Sequence, residues 1–127
     1  MKILLDTHTV LWFLNGDVKL SPKAREMIIS ENNQVHVSIV SLWEMAIKVS
    51  LNKLSVEKGL RHIFSLIREN GFHILPLTEQ HVLTVASLPF LHRDPFDRIL
   101  IAQAESENLP IITLDSEFSK YEVKILW

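Results

Sequence analysis

Short apolar runs alternate with amphipathic stretches along the whole chain. Residues 2–6 (Lys-Ile-Leu-Leu-Asp) form an apolar run that ends in an acid, the pattern of a strand buried on both faces of a parallel sheet. Residues 7–14 continue with helical spacing, and Asn15-Gly16-Asp17 reads as a turn. Ser21-Pro22 gives an N-cap followed by proline at the first helical position, opening a helix to about residue 30. A second strand is expected at 34–38. A helix is expected at 40–51, with Trp43, Ile47 and Leu51 on one face, and another at 55–70, closed by Gly71. Residues 72–77 read as a third strand, and Thr78 caps a helix running to 88. After a loop at 88–92, Asp94-Pro95 starts a helix through 107. Residues 111–115 read as a fourth strand followed by a short helical turn, and 123–126 as a last, edge strand.

Strands alternating with helices, with no repeat, low-complexity tract or linker between them, predict one domain over residues 1–127. Its class is α/β, with a mainly parallel sheet and helices on both faces. In such sheets ligands bind at the carboxyl ends of the strands.

Composition narrows the chemistry. The chain has 127 residues, 47% hydrophobic and 22% charged, and no cysteine. It is long enough to bury a core without covalent staples, and thiolate ligands, disulfides and cysteine nucleophiles are excluded. The net charge of −2 is unlike that of a protein coating nucleic acid non-specifically, so a nucleic-acid substrate has to be met by a local patch. The apolar start stops at Asp6, too short for a signal sequence. No uncharged stretch approaches the ~20 residues of a bilayer span. A soluble, cytoplasmic protein with no membrane partner is expected.

The carboxyl-edge rule singles out four acids. Asp6 ends the first strand and Asp115 the fourth. Glu44 and Asp97 lie in the first turns of helices that begin at the same edge. Converging carboxylates repel, and burial strengthens the repulsion. A divalent cation relieves it, and all-oxygen ligands select hard ions such as Mg²⁺ or Mn²⁺. Such an ion activates water and neutralises charge on a phosphodiester. Each acid also has a structural explanation. Asp94-Pro95-Phe96-Asp97 reads as an N-cap, a proline at the first position and an acid favoured by the helix dipole. Ser41-x-x-Glu44 matches a capping box, and Glu44 and Lys48 form an i,i+4 pair. Convergence at one rim favours the metal site.

The ordered series of motifs resembles the PIN-domain ribonucleases, specifically VapC-like toxins of VapBC toxin–antitoxin pairs, over essentially the whole chain. It comprises Leu5-Asp6-Thr7-His8 with Leu11-Trp12, Ser38 and Ser41-Leu42-Trp43-Glu44, Lys48 with Lys53-Leu54, His92-Arg93-Asp94-Pro95-Phe96-Asp97-Arg98 with Ile101-Ala102-Gln103-Ala104, and Thr113-Leu114-Asp115. The resemblance implies a three-layer α/β/α fold and Mg²⁺- or Mn²⁺-dependent endonucleolytic cleavage of RNA, leaving a 5′-phosphate and a 3′-hydroxyl. Asp6, Glu44, Asp97 and Asp115 match its acidic quartet, and Thr7 and Thr113 its supporting hydroxyls. Asp94 caps the helix, holds an outer water or joins the site. On this reading Asp6, Asp97 and Glu44 hold the main ion, directly or through water, while Asp115 completes the site or helps place a second ion. The resemblance also implies a homodimer and a cognate antitoxin, covering a groove near residues 7–14 and 40–54.

Lys48, Lys53, Lys58 and Arg61 make a local basic stretch, of which Lys48 and Lys53 are candidate phosphate contacts. Arg93 and Arg98 flank the acids and are candidates for substrate or partner contacts, with a salt bridge to a neighbouring carboxylate as the rival for each. The six histidines lack metal-ligand spacing and read as structural or surface residues, with a minority case for His8 lining the site. Trp12, Phe13 and Trp43 read as core rather than a ligand box, with exposure toward a partner as the alternative for some of them. A phosphatase using Asp6 is disfavoured because His8 stands where a second acid is wanted. With glycines only at 16, 59 and 71, no dinucleotide-binding Gly-x-Gly-x-x-Gly exists. The non-enzymatic rival is a degenerate PIN-like binding module.

Overall fold

A computed structural model describes residues 1–127. The elements, in chain order, are β1 (Lys2–Leu5), α1 (Thr7–Asn15), α2 (Pro22–Ile29), β2 (Gln34–Ser38), α3 (Ile39–Ser50), α4 (Leu60–Glu69), β3 (His73–Leu75), α5 (Glu79–Ser87), α6 (Pro95–Glu107), β4 (Ile111–Ile112), a 3₁₀ turn (Ser116–Lys120) and β5 (Ile125–Leu126). The five strands form one sheet in the order β3-β2-β1-β4-β5, with every pairing parallel.

Strand β1 lies at the centre and explains the unbroken apolar run. Ile3, Leu4 and Leu5 are all 0% exposed. Ile3 and Leu5 point into a core shared with α1, α2, α3 and α4, and Leu4 into a second core against α6 and the 3₁₀ turn. Ile112 and Ile111 of β4 divide in the same way. A sheet covered on both faces needs apolar residues at both phases of the strand repeat, and the result is the expected three-layer α/β/α sandwich. Each fully buried aliphatic side chain here contributes about 1.5–3 kcal/mol.

Helix boundaries follow local chemistry. Ser21 Oγ accepts the Ala24 N–H at 3.0 Å, ahead of Pro22. Gly16 ends α1 at φ 63°, a conformation that glycine adopts without a Cβ clash. Thr78 and His81 form a reciprocal capping box on α5.

Several boundaries and faces differ from the sequence expectation. The helix expected from residue 55 begins at Leu60, because Gly59 sits at φ 85°. Leu54 and Val56 reach the core from a loop instead. Strand β3 stops at Leu75, before Pro76, which has no N–H to extend the ladder. Strands β4 and β5 keep only two residues each. The expected Ser41–Glu44 capping box is absent. β2 runs directly into α3, whose N-cap is Ser38, with Oγ accepting the Val40 N–H at 3.0 Å. That register buries Val40, Ser41, Glu44 and Met45 and turns Trp43 and Leu51 outward. Trp43 is therefore a 58% exposed residue stacked edge-on against Phe96, not a core residue. Trp12 and Phe13 do pack against the larger core.

Candidate active site

The strand order reverses direction at β1. The chain moves outward from β1 to β2 and β3, then crosses to β4 on the other side. This topological switch point, at the carboxyl ends of β1 and β4, is where an open α/β sheet leaves a crevice. Asp6 and Thr113 immediately follow those two strands.

Asp6 is held on three sides. Its N–H donates to Ile112 O at 3.3 Å, continuing the β1–β4 ladder. Its Oδ1 accepts the Thr9 N–H at 2.8 Å, so the side chain caps α1. Its Oδ2 accepts the Thr113 hydroxyl at 2.5 Å. Thr113 Oγ1 also accepts the Asp115 N–H at 3.0 Å, which ties the two strand ends together. Asp6 is only 5% exposed, and burial raises its pKa above the ordinary carboxylate value, opposed by the Thr113 and Thr9 hydrogen bonds. Thr9 Oγ1 donates to Ile112 O at 3.0 Å and anchors α1 to β4.

Glu44 enters from α3, 3% exposed. Thr7 Oγ1 donates to its Oε1 at 2.7 Å and lies 2.9 Å from Ser41 Oγ. Lys48 Nζ meets its Oε2 at 2.6 Å, the expected i,i+4 pair. Lys48 is thus engaged with an acid of the site, while Lys53 and Arg93 are exposed.

Asp97 lies in the first turn of α6, where Asp94 is the N-cap and accepts the N–H groups of Phe96 and Asp97 at 2.9 and 3.4 Å. Burial pushes the pKa of Asp97 up to about 6. A hydrogen bond from His92 opposes this, and the charges of Asp94 and Glu44 reinforce it. His92 Nε2 stands 2.7 Å from Asp97 Oδ2. Ligand atoms of His92, Asp94 and Asp97 lie within 4.8 Å of one another.

The site residues thus gather in two halves. Asp6 and Asp115 line one 220 Å³ cleft with His8, Trp12 and Leu114. Asp97 is coupled to Asp94 and Glu44, and Thr7 joins Glu44 to the start of α1, directly after Asp6. Asp115 is exposed and caps the 3₁₀ turn through the Glu117 N–H at 2.9 Å. Arg98 corrects the sequence expectation. It is a buried residue bonded to backbone carbonyls and Tyr121, facing neither solvent nor a carboxylate. His92, read from the sequence as structural or surface, instead meets an acid of the site; a histidine five residues before a carboxylate has no metal-ligand spacing to mark that contact.

The PIN-domain family model matches residues 3–124. The chain belongs to the PIN-domain family. PIN domains are generally nucleases and typically use divalent metals. No curated protein matches this PIN domain significantly. Its fold is similar to the VapBC2 crystal structure from Rickettsia felis bound to a DNA fragment from the promoter, with TM-score 0.78, 16% identity, and 99% of this chain and 98% of that chain covered. It is also similar to DNA-bound VapBC from Salmonella typhimurium, with TM-score 0.70, 16% identity and 99% and 97% coverage. VapBC-1 from nontypeable Haemophilus influenzae follows with TM-score 0.68, 19% identity and 99% and 97% coverage.

The donor set of this PIN domain fits a divalent cation. Asp6, Glu44, Asp94 and Asp97 are buried or half-buried acids, and Lys48 is the one lysine or arginine ion-paired with any of them. Oxygen donors whose negative charge is this incompletely balanced suit a hard ion.

Proposed function

We propose that this PIN domain is a metal-dependent endoribonuclease and the toxin half of a toxin–antitoxin pair. The observation that carries the reading is Asp6, buried at the crevice where the strand order reverses and fixed there by the Thr113 hydroxyl and the Thr9 N–H. A carboxylate buried in such a crevice against its own desolvation is a candidate functional group. Asp6, Glu44 and Asp97 hold Mg²⁺ or Mn²⁺, with Asp115 on the solvent side. When bound, the ion supplies an activated water and neutralises charge on the scissile phosphodiester.

The protein's own residues do the positioning. Thr113 fixes the Asp6 carboxylate from the β4 side, and Thr7 fixes Glu44 from α1. Lys48 Nζ pairs with Glu44 Oε2 and holds that carboxylate from the solvent side of α3. Arg93 and Lys53, both exposed, supply local positive charge for an RNA backbone on a chain of net charge −2.

The toxin role draws on the fold shared with the VapBC structures. A groove of 530 Å³ runs between α1 and α4, half of its lining apolar (Leu11, Trp12, Leu54 and Ile63 among others) and half polar, including Asp17, Glu57 and Lys58. It suits an amphipathic segment of an antitoxin. Co-purification with the product of the adjacent gene tests this, and a free, inert monomer would count against both the antitoxin and the homodimer.

Mapping of cleavage ends in total RNA, with and without EDTA, tests the activity. New 5′-phosphate ends that disappear with EDTA and with Asp6→Asn are expected. Purified Asp6→Asn that still cuts at the wild-type rate would overturn the assignment. The rival, a non-catalytic binding module, predicts neither Mn²⁺ binding nor metal-dependent cleavage.

A further inference from the structure

The loop between α5 and α6 is fastened from within the protein. The Arg98 guanidinium, 8% exposed, donates through Nη1 to Pro89 O at 3.0 Å and to the Tyr121 hydroxyl at 3.1 Å. Its Nη2 donates to Val85 O at 3.4 Å, and the group lies 4.6 Å from the centre of the Phe90 ring. The Tyr121 hydroxyl also accepts the Leu91 N–H at 3.1 Å. Arg98 makes no ion pair. Burying a guanidinium is costly, and a carboxylate is its usual compensation. Here the donors go to Pro89 in the loop, to Val85 in α5 and to the Tyr121 hydroxyl, which in turn takes the loop's Leu91 N–H.

What that loop carries next is His92. Its Nε2 is 2.7 Å from Asp97 Oδ2, and its Nδ1 is 3.6 Å from Glu117 Oε2 on the 3₁₀ turn. Glu117 is held in turn by Lys120 at 2.6 Å. Loop, helix and turn therefore meet at one imidazole, half-buried like the carboxylate it touches. An ionised carboxylate only accepts, so the imidazole nitrogen is the donor in this pair. The bond engages Oδ2 and leaves Oδ1 of Asp97 without a hydrogen bond.

We propose that His92 is a positioning residue that fixes the Asp97 carboxylate, and that the Arg98–Tyr121 clamp holds His92 in place. The inference rests on the metal-dependent nuclease reading and goes beyond it. Its physical basis is general: a hydrogen-bond partner behind a metal-binding carboxylate sets that ligand's orientation, and losing one typically costs 10–100-fold in affinity or activity.

The test compares His92→Ala, His92→Gln and Tyr121→Phe with wild type. Tyr121→Phe loosens the clamp while keeping the ring, which Arg98 truncation would not do safely. Readouts are Mn²⁺ affinity by EPR titration, kcat and KM for RNA, and thermal unfolding without metal. His92→Ala is expected to weaken Mn²⁺ binding about 10–100-fold and to lower kcat with KM unchanged, its metal-free melting point staying near wild type. His92→Gln, whose amide can donate to the same oxygen, recovers most of the loss. Tyr121→Phe moves both quantities in the same direction by less. Pulsed EPR of Mn²⁺-loaded wild type shows no imidazole nitrogen coupling.

Wild-type Mn²⁺ affinity and kcat in His92→Ala would overturn the proposal alone. So would an imidazole coupling that His92→Ala removes, since His92 would then be a ligand. Lost cleavage with intact Mn²⁺ affinity would also overturn it, placing His92 on the substrate. Absence of Mn²⁺ binding by wild type would overturn the nuclease reading and this proposal together.

Discussion

Asp6, buried, and Asp97, half-buried, are both acids whose pKa is raised by burial, yet the protein treats them in opposite ways. Asp6 follows the central strand, its backbone still in the sheet, and its carboxylate accepts from a helix N-terminus and from the Thr113 hydroxyl. Those bonds oppose the burial. Asp97 stands on the first turn of a helix with Asp94 and Glu44 close enough to add to the burial, and His92 alone opposes it. One acid is fixed by packing and neutral donors, while the other is strained by its own kind. A site with both needs a cation most at the Asp97 end and depends on scaffold geometry most at the Asp6 end.

The largest expected effect makes the two ends look alike in activity and different in stability. Asp6→Asn and Asp97→Asn should each cut RNA cleavage by more than ~100-fold, beyond the range seen for outer partners of a metal ligand. Without metal, Asp97→Asn should raise the melting point, because the amide carries no charge for Asp94, Glu44 and burial to disfavour. Relieving a strained active-site group trades activity for stability. Asp6→Asn should gain less, since an amide offers one acceptor where the carboxylate uses two. A lower melting point for Asp97→Asn, read by calorimetry in EDTA, would break the contrast.

Thr113→Val comes next and touches only the Asp6 end. It removes the donor to Oδ2 and the acceptor for the Asp115 N–H. Cleavage should fall about 10–100-fold, with about 1–3 kcal/mol of stability lost from the buried unpaired groups, measured by urea unfolding. Unchanged activity would mean that the strand-end geometry does not position Asp6.

How much of this was legible depended on whether the physics was local. The apolar run ending in Asp6 disclosed a central strand and a carboxylate at its carboxyl end. The Asp94-Pro95 start of α6 and the Ser21-Pro22 start of α2 rest on contacts within a few residues, and the structure keeps both. The face of α3 was not legible. Apolar residues surround that helix, at Ile39, Val40, Leu42, Trp43, Met45, Ala46, Ile47 and Val49, so periodicity could not choose between the face of Trp43 and that of Glu44. The choice was made by Ser38 ending a strand and capping a helix at once. Arg98 and His92 were hidden for another reason: their partners include Tyr121 and Glu117, more than twenty residues away.

A smaller, pH-dependent effect sharpens the Asp97 end. Its folded pKa of about 6 lies above the ordinary value of 3.8, so the folded state binds more protons than the unfolded one between those pH values. Asp97's contribution to stability is complete below about pH 4 and is lost as pH rises through about 6. Asp6 acts in the same direction. The metal-free protein should therefore lose stability across this window, and Mn²⁺ should restore it. At a hundredfold excess over Kd the ion contributes about 2.7 kcal/mol, so the Mn²⁺-induced rise in melting point should be clear at pH 7.5 and small at pH 5. Equal shifts at both pH values would separate the ion from these carboxylates.

The smallest effect belongs to Asp115, and it decides whether the Asp6 end is one acid or two. Asp115 is exposed and its side chain caps the 3₁₀ turn. Asparagine caps as well as aspartate, so Asp115→Asn should leave the melting point unchanged. An exposed charge acts on the crevice through solvent and is screened over about 8 Å at physiological salt. Its removal should therefore lower cleavage by less than Thr113→Val does, and by less still as salt is raised. A loss as deep as that of Asp6→Asn, insensitive to salt, would make Asp115 a direct ligand. The crevice between β1 and β4 would then hold two metal-binding carboxylates, and packing alone would no longer describe the Asp6 end.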